Sequence, residues 1–164
     1  METQRELEVS RVQKGTQLLV HLKGPIEGAI DFEKKLGLLT SELCVNTQAV
    51  PRVNSVGIKA WISYFQKVKE QGIKLRFVEC SIAIVEQFNL VSNFACGGTI
   101  ESIYVPFKCL LCEDETRVLF NVQDLNPNQS PESRSKCAAC GGLTVFDDAP
   151  EEYLGFLKKK VLSK

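Results

Sequence analysis

The chain has 164 residues, 44% hydrophobic and 24% charged, which suits one ordinary domain or one domain with a small appendage. Lys plus Arg and Asp plus Glu number 20 each, which argues against a nucleic-acid binder relying on bulk charge but leaves room for a local basic patch. No run of about 18 apolar residues occurs, and the polar start Met1-Glu2-Thr3-Gln4-Arg5-Glu6 is unlike a signal peptide, so a cytoplasmic protein without membrane insertion is expected.

In chain order, residues 5–13 and 16–22 read as two strands joined by a tight turn at Lys14-Gly15. The second ends at the breaker Lys23-Gly24-Pro25. Gly28 to Glu42 reads as a helix with Ile30, Leu36, Leu39 and Leu43 on one face, weakened by Gly37. A buried strand over residues 43–50 follows. It gives way at Val53-Asn54-Ser55-Val56-Gly57 to an amphipathic helix over 57–71, where Ile58, Trp61, Ile62, Phe65 and Val68 share one face. Asn54 and Ser55 are both good N-cap types, and Ser55 as a cap contributes about 1 kcal/mol. The pair also places a hydroxyl at the positive end of the helix dipole, a position favourable to phosphate. Gln71-Gly72 stops this helix.

Ile73 to Cys80 then alternates as a strand, Ser81 caps a short helix over 82–90, Gly97-Gly98 turns the chain, and Thr99 to Phe107 reads as a last strand. Strands alternating with helices imply crossover connections, hence an α/β fold with a mostly parallel sheet.

The Asn54-Ser55-Val56-Gly57 turn, at a strand-to-helix junction within this order of elements, resembles the Asp-Ser-x-Gly signature of STAS domains, the fold of bacterial anti-sigma factor antagonists. Gly24 after the second strand also fits that pattern, and the resemblance covers residues 5–107. Ser55 matches the residue phosphorylated in that family and Gly57 matches the motif Gly, while Asn54 stands where the family usually has Asp. The resemblance implies a STAS-like mixed sheet with helices, acting by regulatory protein–protein interaction in a bacterial cytoplasm. It implies a partner such as an anti-sigma factor, a serine kinase or phosphatase, or a signalling scaffold. The surface it points to comprises Asn54, Ser55, Val56, Gly57, Lys59 and Ala60, with phosphate on Ser55 as the switch.

The last third departs in composition. Cys109-Leu-Leu-Cys112 and Cys137-Ala-Ala-Cys140-Gly-Gly flank a strand-like run from Thr116 to Val122 and a polar loop from Asp124 to Ser135. Two residues between thiolates let one tight turn aim both at a single ion, and two such turns complete a tetrahedron around zinc. The 24 residues between the pairs suit a zinc ribbon with each pair at a hairpin tip, and four protein ligands leave no open position, so the zinc would be structural. Leu143 to Phe146 reads as a returning strand. Pro150-Glu151-Glu152 starts a C-terminal helix that Tyr153, Leu154, Phe156, Leu157 and Val161 would dock. The expected division is therefore a STAS-like domain over 1–107 and a ribbon-like module with its docking helix over 108–164.

Cys44, Cys80 and Cys96 lie in or beside apolar segments and read as small buried residues, and His21 reads as a half-exposed strand residue. No Gly-rich phosphate loop, Gly-x-Ser-x-Gly elbow or His-Glu-x-x-His motif occurs, so no enzyme is expected. The alternative reading is a nucleic-acid-associated adaptor that uses the ribbon for contact. A small-molecule sensor is a third, and no residue in the sequence points to a ligand.

Overall fold

The computed structural model describes residues 6–162; Arg5, the first residue of the strand expected over 5–13, lies outside them, as does the side chain of Val161. Strands β1 (Glu8–Lys14) and β2 (Gln17–Lys23) form an antiparallel hairpin, turning at Gly15-Thr16 rather than Lys14-Gly15. Strands β3 (Glu42–Ala49), β4 (Lys74–Val78) and β5 (Thr99–Ile100) then add one at a time, each parallel to its neighbour, in the order β1-β2-β3-β4-β5. The connecting helices are α1 (Phe32–Leu36), α2 (Ser55–Glu70) and α3 (Ile82–Leu90). Parallel strands laid down in one direction by crossovers of the usual hand put their helices on one face. Burial follows that arrangement: Leu18, Val20 and Leu22 of β2 are fully buried, while the alternating Gln17, Leu19 and His21 are half-buried. The result is the expected α/β fold with a mixed sheet.

Three expected elements came out differently, one of them the single helix expected from Pro150, which is two helices with a turn at Leu154 between them. The helix expected over Gly28 to Glu42 is only the five residues of α1, because Gly37 adopts φ 69° and turns the chain, releasing Leu43 into β3. The strand expected from Thr99 to Phe107 is two strands, β5 and β6 (Ser102–Cys109). β4 ends just before Glu79, whose φ is 48°, and Glu79 donates its N–H to the Ser102 hydroxyl. Beyond one parallel bridge between Cys80 and Ile103, β6 has no strand of the first sheet to follow. It pairs instead with β7 (Glu115–Asn121) and β8 (Thr144–Phe146) in a three-stranded antiparallel sheet of order β7-β6-β8. Helices α4 (Pro150–Tyr153) and α5 (Gly155–Leu162) close the chain.

The buried residues of both sheets form one hydrophobic cluster. Trp61 of α2 lies at its centre, stacked on Phe94 at 4.8 Å and beside Phe65 at 4.5 Å, with its indole N–H donated to the Phe94 carbonyl. Ile103, Val105 and Phe107 of β6 continue that core into Phe120, Tyr153, Leu154, Phe156 and Leu157. Asn89 of α3 fixes the C-terminal helices, donating to the Tyr153 carbonyl and accepting from the Phe156 N–H. No helix among the described residues is long and apolar enough to cross a membrane.

Candidate metal centre

The two cysteine pairs sit on turns of the same construction. In the first, between β6 and β7, the Glu113 N–H bonds to the Cys109 carbonyl and the Cys109 N–H to the Asp114 carbonyl. In the second, the Gly141 N–H bonds to the Cys137 carbonyl and the Cys137 N–H to the Gly142 carbonyl. Each turn therefore closes by an i+4 and an i+5 contact, and the i+4 residue takes positive φ in both, 63° at Glu113 and 75° at Gly141. The second turn leads directly into β8, but no strand precedes it, so only the first pair stands at a hairpin tip as expected. A bond from the Leu110 N–H to the Leu143 carbonyl joins the two turns.

This brings four sulfurs to one point. Cys109 Sγ lies 3.5 Å from Cys140 Sγ, and Cys112 Sγ lies 3.6 Å from Cys137 Sγ. All four lie within 4.8 Å of one another, a cluster that could hold a metal ion. Cys109 and Cys137 are buried while Cys112 and Cys140 are exposed, so the site is sealed on one side and open to solvent on the other. Backbone amides prepare the sulfurs for negative charge. The Cys109 thiol is pulled down to about 6, first by the Cys112 N–H and then by the Leu111 N–H. At Cys112 the Asp114 N–H acts in the same direction, but crowding by the Cys140, Cys137 and Cys109 sulfurs, together with burial, leaves that thiol raised to about 12. Four cysteine sulfurs around one point are a donor set that a metal cation could join with four bonds.

The second region singled out in the sequence is the start of α2. Asn54 is the N-cap, its side-chain oxygen accepting from the Gly57 N–H at 2.8 Å. That corrects the capping role offered for Ser55, which is the first helical residue, is exposed, and has no hydrogen-bond partner for its hydroxyl among the described residues. Val56 and Lys59 are also exposed and Ala60 is half-buried. Gly57 is buried, where an added Cβ would stand 2.0 Å from the Ile26 carbonyl oxygen, so what it contributes is close packing. The cysteine cluster and the start of α2 lie in different parts of the fold and share no residue.

Cys44, Cys80 and Cys96 are buried, as their apolar surroundings implied, and burial pushes all three thiols up, Cys96 to about 11. His21 is half-buried in β2, opposite Ser10 and Asn46. The sequence reading missed the Asn46–Glu79 hydrogen bond and the Gln48 contacts with Tyr104 and Arg117, which tie β3 to Glu79 and to the second sheet. Polar residues inside an apolar strand were the available signal. No known protein-family model matches the chain, and no curated protein matches it in sequence.

Proposed function

We propose that this is a non-enzymatic, STAS-like regulatory protein of a bacterial cytoplasm, whose α2 N-terminus meets a protein partner and whose cysteine cluster holds a structural zinc ion. The observation that carries the interaction reading is the free Ser55 hydroxyl. Asn54 already caps the helix, so local stability leaves Ser55 without a task. A phosphate there would sit at the positive end of a 16-residue helix, with the exposed Lys59 one turn on at i+4. The fold would tolerate the added charge, and its effect would fall on the partner.

Zinc is supported by donor chemistry and spacing. Four thiolates around one ion suit zinc, and bonds of about 2.3 Å in a tetrahedron put sulfurs about 3.8 Å apart. The observed separations, from 3.5 Å to within 4.8 Å, bracket that value. A full set of protein ligands gives a structural role. The residues between the ligands, Leu110, Leu111, Ala138 and Ala139, are all exposed and apolar, which suits contact with protein better than with nucleic acid.

The test is to recover partners from the protein's own host and measure their affinity for wild type, Ser55→Ala, Ser55→Asp and Lys59→Glu. Ser55→Asp is expected to differ from Ser55→Ala by about tenfold or more, roughly 1.4 kcal/mol. Equal affinities across the whole set would defeat the reading.

A further inference from the structure

A cavity of about 560 Å³ lies away from both regions above, where the C-terminal end of α3, the loop 91–98 and the start of α5 come together. Its volume is in the range of small-molecule sites. Phe88, Ile100, Val122, Phe156 and Leu157 supply apolar walls. Of the described residues lining it, Lys69 alone is charged. The Lys69 side chain reaches from the last turn of α2 across Gly97, so closely that a Cβ at Gly97 would stand 1.9 Å from the ammonium nitrogen. Lys69 has no ion pair and its ammonium no hydrogen bond among the described residues.

The loop beside that ammonium is held in an uncommon conformation. Asn93 has φ 62° and Cys96 has φ 48°, two of the four non-glycine residues with positive φ among those described, and Gly97 follows at 74°. Left-handed conformation in a residue such as Cys costs energy that packing elsewhere must offset, and such costs collect where a backbone has to be shaped. Here the shaped loop lines the cavity beside the Lys69 ammonium.

We infer that this cavity binds a small apolar carboxylate, with the acyl chain against Phe88, Ile100 and Phe156 and the carboxylate on Lys69. Apolar walls alone would accept any oily molecule; the unpaired ammonium selects an anionic head. A monoanion with a single head group fits one cation, whereas a phosphate ester would call for more than one. Because the walls come from α3, β5 and α5, occupancy would join the first sheet to the C-terminal helix. The site is separate from Ser55 and from the cysteine cluster, so this inference and the proposed function stand or fall independently.

The experiment is a titration of the isotopically labelled, metal-loaded full chain with decanoate, below its micelle concentration, read from the amide resonances of residues 91–98. Saturable shifts are expected. Shortening the ligand to octanoate should weaken binding by roughly threefold to fourfold for each methylene lost. Decanol should bind at least about tenfold more weakly than decanoate, and Lys69→Gln should remove that difference. Lys69 is exposed, so its replacement leaves the core intact. Absence of saturation, equal affinity for decanol and decanoate, or a Lys69→Gln protein that binds decanoate as wild type does would each overturn the inference.

Discussion

Gly57 illustrates how much a single position can hide. In the sequence it matched a motif glycine; in the structure it lets α2 approach the Ile26 carbonyl, which also accepts from the Asn54 N–H. Gly57→Ala is therefore expected to lower stability by about 1–3 kcal/mol, read from the urea midpoint, because neither the helix nor the Ile26 backbone can yield without losing that bond. Glu113 carries the opposite expectation. It occupies in the first cysteine turn the left-handed position that Gly141 occupies in the second. Glu113→Gly should stabilise the metal-loaded protein by about 0.5–1 kcal/mol, the strain of a left-handed residue less the extra entropy of glycine. An unchanged or lower urea midpoint would show that the Glu113 side chain compensates. The near-identity of the two turns was legible in the sequence only as two Cys-x-x-Cys pairs, since nothing in Glu113 announces a positive φ. Ser55 was legible as a residue at a helix start. Which neighbour caps was not, because Asn and Ser accept the same amide, and only the placement of the two side chains decides between them.

Among the elements, those with local punctuation were readable. α3 spans Ile82–Leu90 with Ser81 as its cap, as the sequence implied, because the capping oxygen and the apolar run are both local. α2 and β3 came out within two residues of expectation for the same reason. The elements misread were those decided from outside themselves. The α1 segment had helical spacing, yet the left-handed Gly37 ended it, with the Arg11 guanidinium close beside it. The run Thr99 to Phe107 alternates as one strand, yet the end of β4 at Glu79 divided it. The cysteine turns are expected to depend on their ion far more than the first sheet does. After removal of metal by a chelator, amide exchange should accelerate at residues 109–114 and 137–144 while β2, β3 and β4 keep their protection. Unchanged exchange in the two turns would show that they are held by their own hydrogen bonds.

At the scale of the molecule, the apolar core is continuous between segments 1–107 and 108–164. A single cooperative unfolding is therefore expected for the metal-loaded protein, with the buried Trp61 fluorescence and far-ultraviolet circular dichroism coincident. Two separated transitions would mean that the segments fold independently. Stability should also fall on the alkaline side. Burial pushes the Cys80 thiol and the Tyr153 phenol well above their ordinary values of 9.0 and 10.0. The unfolded chain thus releases those protons first, so their contribution is intact below about pH 9 and declines above it. The loss approaches about 1.4 kcal/mol per pH unit for each group once the pH has passed that group's ordinary value, observable as a Tm that falls above about pH 9. The central claim, a zinc-bound regulator switched at Ser55, is tested most directly by the native intact mass of the protein purified from its own host, before and after phosphatase. The account predicts one zinc ion per chain and a phosphatase-sensitive adduct that maps to Ser55. An ion without the adduct under every growth condition would uphold the metal centre and contradict the switch, and the mass of the bare, unmodified chain would contradict both.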